Sequence, residues 1–170
     1  MLSRLSAIFL VGTLGGCGYV SQPGLDATTG ADVYGPPSLE IGGANDDGIG
    51  FIPWRGTTAR PRIIQGPQGG QHIWVSMRSN GLWPKKIMLS VDMRDATTGA
   101  VVLPGDVTRI LGLTPHETFY AYDGFIAYVS EPCAIADRPI RVTMFASDLY
   151  GVATSDSAVV LPVWSTVCAP

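Results

Sequence analysis

A chain of 170 residues, 46% hydrophobic and 15% charged, is long enough for one domain with a substantial core. Its 14 acidic and 11 basic residues give a formal charge of −3 and include no Lys/Arg cluster. That excludes the electrostatic footprint of a nucleic-acid or anionic-headgroup binder.

The chain opens "MLSRLSAIFLVGTLGGCGYV", with Arg4 the only charge before Asp26. The apolar stretch over residues 5–14 is about half the roughly 20 residues that a spanning helix needs. A positive start, a short apolar centre and small residues at the cut site predict a secretory signal that is removed, not folded. The signal ends in "LGGC", residues 14–17. This resembles the lipobox of bacterial lipoproteins: an aliphatic residue, two small residues, then the cysteine that becomes the new N-terminus. The resemblance implies cleavage before Cys17, which then carries a diacylglycerol thioether and an N-acyl chain. Three acyl chains exceed the two signals that stable anchoring takes, so the expected partner is the membrane, reached through lipid. In that family an Asp after the cysteine is the usual inner-membrane retention signal; Gly18 stands there, which implies the outer membrane. Cleavage removes 16 of the 170 residues, leaving 154, and takes Arg4 with it, moving the formal charge from −3 to −4.

Residues 17–39 continue as "CGYVSQPGLDATTGADVYGPPSL", rich in turn formers and without an apolar period. They read as a flexible tether with a reach of roughly 25 Å. The organisation expected is therefore a signal peptide at 1–16, a lipidated tether at 17–39 and a folded domain at 40–170.

"GIGFIPW" and "RPRIIQG" supply two short, Pro-marked edge-strand candidates. In "HIWVSMR", Ile73, Val75 and Met77 alternate with His72, Trp74, Ser76 and Arg78. In "KIMLSVDMRD", Ile87, Leu89, Val91 and Met93 alternate with Met88, Ser90, Asp92 and Arg94. Period two over seven or more residues predicts half-buried strands with the first set of each inward. The second run turns at Thr98-Gly99 into residues 101–103, a hairpin. "DVTRILGL", residues 106–113, is the one helical candidate, a turn or two beside a capping Asp. "ETFYAYDGFIAYVSEP" holds two aromatic-rich runs divided or bulged at Asp123-Gly124. "IRVTMFASDLYGVATSDSAVVLPVW" makes a last hairpin that turns over residues 148–151.

Seven to nine short strands punctuated by Gly and Pro predict an all-β antiparallel sandwich. The terminal hairpin, "RVTMFASDLYGVATS", resembles the final strand pair of Ig-like and fibronectin-type domains, which implies an Ig-like sandwich. The Cys…Trp…Cys spacing of antibody domains is absent. With Cys17 lipidated, Cys133 and Cys168 remain as an even pair in an exported chain, where a disulfide is expected.

The stretch "GPQGGQHIW" resembles a segment of predicted bacterial lipoproteins without an assigned function, and the resemblance supplies no activity. On the strand that follows, His72, Trp74 and Arg78 share the outward face and form a candidate binding surface, since aromatics dominate binding hot spots. The reading preferred here is that a loop covers this face, with Trp74 in a secondary core and His72 hydrogen-bonded to the turn.

No metal site or cofactor is expected. His72, His116 and Met77, Met88, Met93 and Met144 lack ligand spacing, and three of those methionines fall on predicted core faces. Asp46 and Asp47 in "ANDDGIG" lack the rest of a calcium loop. "HETFY" begins like a zinc-protease motif, but Tyr120 stands where the second histidine belongs. No G-x-S-x-G elbow or Walker loop occurs, and Asp92 and Asp95 have no visible catalytic partner. The function expected is non-catalytic: binding, adhesion or a structural role at the envelope, with a protein or glycan partner. The alternative is a small exported hydrolase or metal-binding protein using His72 or His116.

Overall fold

The computed structural model describes residues 35–56, 59–102 and 107–168, without the side chain of Val107. The leader, Cys17 and most of the tether lie outside the described residues.

The strands are Ser38–Gly43 (β1), Ile52–Pro53 (β2), Ile64–Gln65 (β3), Gln71–Asn80 (β4) and Ile87–Asp95 (β5). Val107–Leu111 (β6), Thr114–Pro115 (β7) and Tyr120–Val129 (β8) follow. A one-turn helix, Pro132–Ile135 (α1), then leads to Ile140–Asp148 (β9) and Ala153–Val160 (β10). One sheet runs β2-β1-β4-β8-β7, with β3 also on β4; the other runs β10-β9-β5-β6. All these ladders are antiparallel. The protein is an all-β sandwich.

Among the described residues ten strands stand where seven to nine were expected, because three of them, β2, β3 and β7, are two-residue pairings. Of the seven longer strands, the first, second and fifth share one sheet, and the other four share the second. That distribution is Ig-like, with the fourth strand on the edge of the sheet that carries the last two.

Alternation explains the core. Ile73, Val75 and Met77 of β4 face Ile87, Leu89, Val91 and Met93 of β5 across the sandwich, all at most 1% exposed. Phe125 and Ala127 from β8, and Val142 and Met144 from β9, complete the layer. Each fully buried aliphatic or Met side chain contributes on the order of 1.5–3 kcal/mol relative to exposure.

Two local expectations need correction. The segment read as helical is strand β6, paired with β5 from Ile87↔Leu111 to Val91↔Val107. β-branched Val107, Thr108 and Ile110 suit a pleated surface, and the open edge of β5 offered hydrogen bonds that a short helix could not match. The only helix described, α1, was not foreseen; four residues opened by Pro132 are too few to show a 3.6-residue period. In addition, β1 opens at Ser38, inside the span read as tether, and a Cβ at Gly81 would lie 2.4–2.6 Å from the Pro36-Pro37 backbone.

The predicted turn of the last hairpin is organised by one carboxylate. Asp148 Oδ1 accepts from the N–H groups of Tyr150 and Val152, and Oδ2 accepts from Trp83 N–H at 3.0 Å. A disulfide joins Cys133, in α1, to Cys168, beyond β10, with Cα atoms 5.5 Å apart. Closing a loop of 35 residues stabilises by about 4 kcal/mol on chain-entropy arithmetic.

Candidate functional site

The outward face of β4 is not bare. Residues 44–51 leave β1 and fold back across it. Trp74 donates from Nε1 to the Asp46 carbonyl at 3.2 Å, and a Cβ on Gly48 would sit 3.0 Å from the indole. Ser76 is fully buried. Its hydroxyl donates to the Gly50 carbonyl and accepts from Gly124 N–H, both at 3.1 Å. Asp123 Oδ2 accepts from Gly50 N–H at 3.0 Å. These bonds pin the loop at the register shift between Val75 and Met77, opposite the Asp123-Gly124 pair where a bulge was predicted.

His72, Trp74 and Arg78 do share this face, but they do not form one surface. His72 is 7% exposed and meets Trp74 edge-on, with ring centroids 4.3 Å apart. It packs against Gly66 of the turn, yet its Nε2 is buried without a hydrogen-bond partner, so the expected bond to the turn is not what holds that atom. Burial lowers its pKa from the ordinary 6.5, because the charged imidazolium loses solvation. Trp74 is half-buried under the loop, as the preferred reading had it.

Arg78 lies further along the strand in different company. Its guanidinium lies over two aromatic rings, with Cζ 4.3 Å from the Phe51 ring centre and 4.7 Å from that of Phe119. His116 stacks on the far side of this group, 4.6 Å from Phe119 and nearly parallel to it. Arg78 also lines a cleft of about 490 Å³ with Glu40, Trp54, Arg55 and Asp156. Within it Glu40 pairs with Arg55, accepting from Nε at 2.8 Å. Asp156 accepts from Ile41 N–H at 3.0 Å and Ser157 N–H at 2.8 Å. Sequence reading named Arg78 but missed Phe51, Phe119, Glu40 and Asp156. They come from distant segments, and alternation within one strand carries no signal of them.

The remaining candidates are held apart. His116 is exposed and stacked on Phe119, remote in role from the buried His72. Asp46 pairs with Arg62, while Asp47 accepts from Ile49 N–H within its own turn. Asp92 pairs with Arg94. Asp95 accepts from Thr98 and Thr97 N–H groups and from Arg138 at 2.6 Å; the Thr98 bond above all holds its carboxyl below the ordinary range. Met77, Met93 and Met144 are fully buried in the core. Among the described residues, no three His, Cys, Asp or Glu side chains gather where a metal could be held.

Among the described residues no helix is long and apolar enough to cross a membrane. No protein-family model matches the chain, and neither a curated protein nor a solved structure matches it.

Proposed function

We propose that this chain is an exported envelope lipoprotein, held in the membrane by acyl chains on Cys17, whose β-sandwich works by non-catalytic binding, adhesion or assembly. The observation that carries the reading is the leader, with its single Arg4, ten-residue apolar centre and terminal "LGGC". Gly18 after that cysteine, in place of the Asp that signals inner-membrane retention in lipoproteins, supports an outer-membrane anchor. The chemistry of the domain supports a binding role. Several side chains equipped for catalysis are engaged in structure: Cys133 with Cys168, Asp148 and Asp156 with backbone N–H groups, and His72 buried against Trp74. The partner belongs to the envelope, as a protein or a glycan.

Fractionation of cells carrying the wild type and Cys17→Ser tests this. Wild-type protein should sediment with membranes and carry acyl mass on its N-terminal cysteine, and the variant should be released or left unprocessed. Soluble, unacylated wild-type protein would end the proposal.

A further inference from the structure

We infer that the cleft beside Arg78 is a binding site for a carboxylate-bearing ligand, with the Arg78 guanidinium as its receptor. The inference rests on the binding role proposed above and narrows it to one place on the domain. Arg55, Arg60, Arg62, Arg94 and Arg138 each pair with an Asp or Glu, and Arg109 and Arg141, which have no such pair among the described residues, are exposed. Arg78 is half-buried and, among the described residues, has neither an ion pair nor a hydrogen bond; its Nε is buried without an acceptor.

Its setting explains what such an arginine can do. The guanidinium lies over both the Phe51 and Phe119 rings, while its N–H groups all point outward in its own plane. The rings also fix its orientation, which lowers the entropy lost when an acceptor arrives. Because the side chain lines the cleft while Nε is closed off, the two Nη groups are the donors a ligand would reach. Two in-plane N–H groups match the two oxygens of a carboxylate.

The rest of the cleft selects among anions. Glu40 lies directly across from Arg78 on β1, but it is taken by Arg55. Asp156 is taken by two backbone N–H groups. Neither acid serves as the missing acceptor; Arg55 offsets the charge of Glu40, and Asp156 leaves negative charge in the same cleft. A monoanionic carboxylate meets less repulsion there than a phosphate dianion does.

Nuclear magnetic resonance on the full chain in detergent, titrated with sodium acetate against sodium chloride at matched ionic strength, tests the site. The Arg78 side-chain N–H resonance, assigned by its absence in Arg78→Lys, should move saturably with acetate and not with chloride. In Arg78→Lys, checked for an otherwise unchanged amide spectrum, acetate should shift the neighbouring Ser79 and Thr118 amides with affinity weaker by on the order of tenfold, about one charge-assisted hydrogen bond. The wild-type titration decides the matter even if the variant fails to fold. An Arg78 resonance indifferent to acetate overturns the site, and one that saturates at lower concentration with inorganic phosphate overturns the carboxylate assignment. Membrane fractionation reads the anchor independently, so a silent Arg78 in an acylated protein removes this site alone.

Discussion

The two sheets of this sandwich treat their outward faces in opposite ways. On the six-stranded sheet, residues 44–51 lie across β4, and six of its ten residues are buried, His72 and Ser76 of the outward set among them. On the four-stranded sheet the corresponding face is open. Ile110 is 67% exposed, and Met88, at 52%, and Phe145, at 48%, line a shallow depression bordered by Thr108 and Ala153. Both central strands, β4 and β5, alternate equally well in sequence. The difference comes from glycine. Gly42 makes room for Phe51, Gly48 lies flat on Trp74, and Gly124 leaves space for the Gly48 carbonyl. A loop backbone can rest directly on a sheet only where the sheet and the loop lack side chains between them.

Truncating the same residue type on the two sides should break the comparison most sharply. Met77→Ala removes a fully buried core side chain of the covered sheet and should cost about 2–5 kcal/mol, because it leaves a cavity. Met88→Ala, on the open face, should stay within about 0.5 kcal/mol of wild type. Urea denaturation of both variants checks the pair; equal losses would mean the open face is covered in solution.

The glycines give the next largest effect. Gly124 has φ +70°, and a Cβ there would stand 2.3 Å from the Gly48 carbonyl oxygen. Gly124→Ala should therefore cost about 2–4 kcal/mol, from left-handed backbone and overpacking together. Gly99 has a similar φ of +74° with nothing within 4 Å, so Gly99→Ala should cost only the backbone part, about 1–2 kcal/mol. If the two changes cost the same, the loop does not press on β8.

The smallest effect is a pH dependence. Well above pH 6.5 His72 is neutral in both folded and unfolded chains and adds no slope. As pH falls below 6.5, the unfolded chain takes up the proton first, so stability should decline until the folded imidazole also titrates. Asp95 works in a lower window: its contribution is present above about 3.8 and is lost as pH falls through its depressed folded value. His72→Phe should flatten the unfolding midpoint between neutral pH and that acid range, and a slope unchanged by the substitution would assign it elsewhere.

Much of the sandwich was legible because its signals are local. "HIWVSMR" and "KIMLSVDMRD" announced their inward residues by period, and "ASDLYG" announced its turn through Asp148 and Gly151, which has φ +82°. The Cys133–Cys168 pair followed from counting. What escaped reading depended on partners. "DVTRILGL" has an Asp and a short apolar run in either conformation, and only the vacant edge of β5 decides for strand. The cleft was invisible for the same reason: Arg78 stood on the predicted outward face, but the rings that hold it and the acids beside it arrive from β1, β8 and β10 neighbourhoods that no window spans. The glycines at 42, 48 and 124 could be seen, but not that they answer one another.

The ladder of β4 has a consequence for how the chain reaches this state. Its two long neighbours are remote in sequence: Ser38 pairs with Asn80 on one side, and Gln71 pairs with Val129 on the other. No hydrogen bond of those two ladders can form before the entropy of a long closed loop has been met. The β9–β10 hairpin, turning within Asp148 to Val152, meets no such cost. In the other sheet β5 must likewise find β9, with Asp95 pairing to Ile140, so both sheets wait on distant encounters, which places the domain among slow-folding, high-contact-order β proteins.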